Sequence, residues 1–169
     1  MCHQINIRFH DELNDFLPAN QRNIDFNHPL NSSRSIKDLV ESIGVPHTEI
    51  DLIIVNGKSV NFDYLVVADD HISLYAPSKC IAPELTNISP LIHCQSESLA
   101  IPQFVLDVHL GRLAAYLRMM GFDCLYRNDY EDPTLADISA NEQRTLLTCD
   151  RLLLMRKQVI HGYFVRSRQ

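Results

Sequence analysis

The sequence predicts two unlike halves, an α+β roll followed by an α/β unit built on a parallel sheet. Three observations lead there. Residues 1–78 set strand patterns around one helical pattern and one tight-turn dipeptide. Residues 103–169 instead alternate strand and helix patterns, as parallel pairing requires. Between them, residues 79–102 hold Pro83, Pro90 and Pro102 and no clear period, as a linker does.

In the first half, INIRF at 5–9 alternates apolar and polar residues and reads as a strand; a turn-rich acidic segment and a second strand follow. From Ser35 to Gly44, apolar Ile36, Leu39, Val40 and Ile43 recur at helical spacing, with Ser35 placed to cap the start and Gly44 the end. LIIVNGKSV at 52–60 sets Asn56-Gly57 between apolar runs, a strong hairpin signal. YLVVADDHISLYAP closes the half with the strand ISLYA. The order strand, strand, helix, hairpin, strand resembles the β-grasp, or ubiquitin-like, fold, and especially small sulfur carriers. Those carriers act through an adenylated C-terminal Gly-Gly tail. Here the last strand runs into Ala76-Pro77-Ser78-Lys79, with no glycine and no free end, so binding or scaffolding is the expected role.

In the second half, FVLDV at 104–108 reads as a strand and HLGRLAAYLRMM as a helix ended by Gly121. Its apolar stripe is Leu110, Leu113, Ala114, Leu117 and Met120. FDCLY at 122–126 is a second strand, and a helix follows from Pro133 to about Asn141. TLLT at 145–148 is a third strand, LLLMRK a short helix, and YFVR at 163–166 a fourth strand. The linker's Leu85, Ile88, Leu91 and Ile92 suggest that it packs against something.

Hydrophobic residues make up 46% of the chain and charged ones 21%, which excludes a disordered polyelectrolyte. No apolar run approaches the roughly 20 residues of a membrane span, and the N-terminus lacks a signal peptide's apolar core, so a cytoplasmic protein is expected. Five scattered cysteines include no CxxC pair, which argues for buried thiols over a zinc site or a disulfide framework. The formal net charge is −6, yet residues 102–169 carry nine basic against eight acidic residues, and eight of the nine are arginines. Arginine favours planar contact with phosphate.

Ligands of parallel α/β sheets gather outside the carboxyl ends of the strands. Asp107 comes late in the first strand, Asp132 lies in the loop after the second, and Asp150 lies two residues past the third. All three are expected on one edge. Carboxylates so placed repel unless a proton or cation intervenes, and hard divalent ions such as Mg²⁺ or Mn²⁺ take oxygen ligands. Such a site activates water against a phosphodiester.

Each acid also has a plainer reading. Asp132 before Pro133 fits an N-cap, and Asp150 fits the cap of the helix at 152–157. Asp107, among apolar neighbours, is costly to bury without a partner. Asp123 falls at the opposite end of its strand and reads as structural. Asp129, Glu131 and Asp137 are alternatives for a fourth ligand. Arg112, Arg118, His109 and Arg151 are candidates to touch substrate phosphate, weighed against ordinary surface and capping roles.

FVLDVHLGRLAAYLRMMGFDCLYRNDYEDPTLADIS and RTLLTCDRLLLMRK together resemble the PIN-like ribonuclease domain of the Mut-seven C-terminal family. ELNDFLP, GVPHTEID and VNGKSV are similar to the ubiquitin-like domain fused to it. The resemblance implies metal-dependent RNA cleavage, with Asp107, Asp132 and Asp150 on the family's acidic positions. Related nuclease folds often dimerise, so a homodimer is a further implication. Family members usually continue into a cysteine-rich zinc ribbon, whereas this sequence runs to Arg168-Gln169, so contacts made by a ribbon are not carried over.

Two other functions compete with a nuclease. One is a non-catalytic RNA-binding or adaptor protein with a degenerate acidic site. The other is a phosphatase with Asp107 as nucleophile; the haloacid-dehalogenase type needs Asp-x-Asp there, and the chain has Asp107-x-His109.

Overall fold

The computed structural model describes residues 4–77 and 102–166. The chain divides into two compact units, residues 1–96 and 97–169, each with its own sheet. The linker expected at 79–102 lies, except for Pro102, outside the described residues, as do Cys2, Cys80 and Cys94.

The first unit has strands β1 (Gln4–Phe9), β2 (Phe26–Pro29), β3 (Leu52–Val55), β4 (Lys58–Ser59) and β5 (His71–Tyr75), with helix α1 (Ile36–Ile43). Their order across the sheet is β2-β1-β5-β3-β4, and only the central β1–β5 pair is parallel. The alternation in INIRF has its expected consequence: Ile5, Ile7 and Phe9 are buried with Ile36, Leu39 and Val40 of α1. Ser35 Oγ accepts from the Asp38 amide at 3.1 Å, and Gly44 ends the helix at φ 101°. At the hairpin Asn56 and Gly57 both take positive φ, 51° and 77°, as a type I′ turn demands. Buried Asp70 braces this turn, accepting from Asn56 Nδ2 at 2.8 Å and from the Val67 amide at 2.9 Å.

The second unit has strands β6 (Gln103–Leu106), β7 (Asp123–Leu125), β8 (Thr145–Thr148) and β9 (Gly162–Phe164) in the order β7-β6-β8-β9, all parallel. Helices α2 (Gly111–Met119), α3 (Asp132–Glu142) and α4 (Arg151–Leu154) connect them. Alternation along β6 and β8 divides the core between two faces. Val105 and Leu146 pack with Leu135, Ala136, Leu153 and Leu154 of α3 and α4. Leu106 and Leu147 pack with Leu110 and Ala114 at the start of α2. Helices therefore cover both faces of a parallel sheet, which leaves its strand ends for ligands.

Several expected boundaries move. β6 stops at Leu106, so Asp107 stands just beyond the strand, and residues 108–110 form a 3₁₀ turn before α2. Met120 is 65% exposed and so does not belong to the buried stripe of α2. The helix after β8 runs only from Arg151 to Leu154 and is shorter than the expected LLLMRK stretch. No helix among the described residues is long and apolar enough to cross a membrane.

Candidate active site

β6 and β8 are neighbours, and the strand order reverses between them: β7 lies outside β6, while the chain continues outward from β8 to β9. A crevice at such a switch point is where α/β sheets bind ligands. Asp107 follows β6, and Asp150 follows β8 by two residues.

One hydroxyl joins them. Thr148, fully buried at the end of β8, donates from Oγ1 to Asp107 Oδ2 at 2.6 Å. The same Oγ1 accepts the Asp150 amide N–H at 2.9 Å. Asp107 is itself buried, and its own amide donates to the Leu147 carbonyl at 3.1 Å. Its carboxylate is therefore held on one oxygen by a neutral donor, with no arginine opposite it among the described residues. Asp150 Oδ1 accepts the Leu152 amide at 2.8 Å and caps α4 as the sequence expects. Oδ1 of Asp107 and Oδ2 of Asp150 accept no hydrogen bond among the described residues. Between the two acids, burial and then the charge of Asp107 push the Cys149 thiol above its ordinary pKa, which makes it a poor nucleophile.

Asp132 is placed differently. It opens α3, with Glu131 as the capping position, so it is not the N-cap expected from Asp-Pro, and Glu131 itself makes no side-chain cap. The Asp132 carboxylate is half exposed and lies 3.7 Å from Arg156, just past α4. Asp129 is gripped at both oxygens by Arg127, at 2.9 and 2.7 Å, which also lowers its pKa. Asp137 is exposed on α3. Among the described residues, no group of three or more His, Cys, Asp or Glu side chains is arranged to hold a metal ion.

The basic candidates divide in the same way. Arg118 spends its fork on backbone, with Nε and Nη2 donating to the Cys124 carbonyl at 3.1 and 2.9 Å. Arg151 lies 5.4 Å over the Phe164 ring. His109 and Arg112 are exposed, His109 in the turn after Asp107 and Arg112 in the first turn of α2.

Two structural residues behind the site were missed from the sequence. Thr148 read only as strand, although a threonine two residues before an aspartate at a strand end is a usable signal. Tyr126 donates to the Val108 carbonyl at 2.9 Å and fixes the turn between Asp107 and α2. That tyrosine explains Gly111: a Cβ there would stand 2.7 Å from Tyr126 Oη.

No curated protein and no solved structure matches the chain. Two family models do: the Mut7-C ubiquitin model over residues 2–81 and the Mut7-C RNAse domain model over residues 102–169. The mixed sheet of the first unit and the parallel sheet of the second fall within those two spans. The chain therefore belongs to the Mut7-C family, an N-terminal ubiquitin-like part followed by a Mut7-C RNAse domain.

Proposed function

We propose that the second unit is a Mg²⁺- or Mn²⁺-dependent ribonuclease that hydrolyses RNA phosphodiesters at the crevice between β6 and β8. The observation that carries this reading is the Asp107–Thr148–Asp150 link across two adjacent strand ends. Its donor set is all oxygen, which suits a hard cation, and Mg²⁺ is commonly held by one or two carboxylates with water and substrate phosphate completing the shell. Asp107 and Asp150 would hold the ion, which when bound supplies an acidic water and offsets charge developing on phosphorus.

The chain's own residues do the positioning. Thr148 fixes the rotamer of Asp107 and leaves its second oxygen for a ligand. Burial around Asp107 strengthens its pull on a cation. Asp132, engaged with Arg156, is assigned a smaller share of the metal site and of catalysis. The first unit, ubiquitin-like by family, is proposed to bind a protein partner or RNA.

Cleavage of a fluorescent single-stranded RNA and titration with Mn²⁺ test the proposal together. Asp107→Asn should lower cleavage about a thousandfold, since metal stabilisation contributes several kcal/mol and each ~1.4 kcal/mol is tenfold. Asp132→Asn should lower it much less. Unchanged cleavage and unchanged Mn²⁺ affinity in Asp107→Asn would end the nuclease reading. A second reading, a non-catalytic RNA-binding or adaptor protein, draws on the lack of a three-acid group among the described residues. It predicts RNA binding by the wild type with neither Mn²⁺ uptake nor cleavage.

A further inference from the structure

The outer face of α2 sets an exposed aromatic ring and an exposed thioether in line with an arginine. Inward, α2 buries Ala114 and half-buries Leu113 and Leu117. Outward, Arg112, Tyr116 and Met119 recur at i, i+4 and i+7, so they form one stripe along the helix. Tyr116 is 53% exposed and Met119 83%. Exposed apolar side chains aligned on one face, unlike single scattered ones, are a feature of interaction surfaces.

Charge says what that partner is. From Val108 to Phe122 the chain has two arginines, one histidine and no acidic residue, within a protein of net charge −6. Helix α3 has the opposite balance, three acids and no base. Arg112 is also the one arginine among the second unit's described residues with no hydrogen bond, ion pair or ring contact. The others serve Cys124, Asp129, Asp123 and Glu142, Phe164, Asp132 or Tyr163. A free, permanently charged fork one turn from an exposed tyrosine combines the two elements of single-strand recognition: a cation for the backbone and a ring for a base.

We infer that the Arg112–Tyr116–Met119 face of α2 is a docking strip for single-stranded RNA. Arg112, nearest Asp107 in the chain, takes a phosphate. Tyr116 stacks on a base one nucleotide or more away, and the Met119 thioether closes the apolar end. A base-paired strand has no free base face to offer Tyr116, so single strands are preferred. The inference rests on RNA as substrate, and it adds where the strand runs and what holds it.

Fluorescence anisotropy with a labelled, unstructured 15-nucleotide RNA, in buffer without divalent ions, isolates binding from cleavage. Tyr116→Ala should weaken binding about tenfold and Tyr116→Phe should not, because stacking needs the ring alone. Arg112→Ala should reduce the slope of log affinity against log salt by about 0.7, one phosphate contact on a single strand. A duplex of the same sequence should bind more weakly and be insensitive to Tyr116. Circular dichroism and melting of each variant establish that all are folded; both side chains are exposed.

Equal RNA affinity in wild type, Tyr116→Ala and Arg112→Ala overturns the strip. So does a wild type that binds no RNA. A concentration-dependent dimer in sedimentation, dispersed by Met119→Glu with RNA binding unaltered, overturns it in favour of a second copy on this face. Failure of the catalytic reading looks different: Asp107→Asn would leave cleavage intact whatever Tyr116 does to affinity.

Discussion

The two edges of the parallel sheet carry acids in opposite circumstances. At the edge where the strands begin, Arg144, buried against β6 and β8, donates to Asp123 at 3.0 Å and to Glu142 at 2.7 Å. Gln103 adds a third donor to Asp123 at 2.9 Å. At the edge where they end, Asp107 has a threonine hydroxyl in place of an arginine. Asp123 is paired within the molecule, whereas Asp107, unlike Asp129 and Asp132 on its own edge, has no arginine partner among the described residues. Removing one member of a buried pair leaves the other charge uncompensated, whereas a carboxylate held by a neutral donor keeps its charge.

Breaking the paired edge gives the largest expected effect on stability. Arg144→Met should lower the unfolding free energy of the second unit, because it takes a buried cation away from two half-exposed carboxylates. Urea unfolding followed at the second unit measures it, and activity per folded molecule should not change. The same substitution has a pH signature. The Arg144 hydrogen bond holds Asp123 below the ordinary carboxylate range, so this stability is present above that range. It is lost as pH falls from about 4 through the folded pKa. Wild type should lose stability there, and Arg144→Met should lose less; parallel curves would deny the pair its role.

Thr148→Val, at the other edge, should show the reverse profile. It removes one hydroxyl from a site of the same shape and strands the Asp150 amide and Asp107 Oδ2. On the proposed function, cleavage falls ten- to a hundredfold, a loss of about 1–3 kcal/mol, with a lesser change in stability. Thr148→Ser should restore most of it. If Val and Ser variants cleave alike, the hydroxyl does not position the acid.

The smallest effect sharpens how Asp107 is presented. Gly111→Ala pushes a methyl into Tyr126 Oη and should cost about 1 kcal/mol and a few-fold in cleavage. Tyr126→Phe in the same chain removes the clashing oxygen and should recover part of the stability. Melting temperatures of the two single variants and the double one measure the coupling.

Much of this contrast was legible from residue order. Asp123 and Asp107 lie at opposite ends of parallel strands, and strand–helix alternation alone puts them on opposite edges. Arg144 was not legible as Asp123's partner, because 21 residues separate them and only the β7-β6-β8 order brings them together. Asp132 shows the converse. Its chain position after β7 pointed to the site, but the side chain lies beside Arg156, a residue no local pattern connects to it. Met120 kept helical spacing and still faced water, since α2 ends one residue before it.

By itself, the sequence determined the two halves, the capped helix of the first, the Asn-Gly hairpin and the parallel direction of the strands in the second. Those follow from periodicity and turn chemistry, which act over a few residues. Only the tertiary structure decided which acids are paired with an arginine and which are not. That choice depends on what stands within about 3 Å of each carboxylate, and packing between distant strands, not local pattern, sets those neighbours.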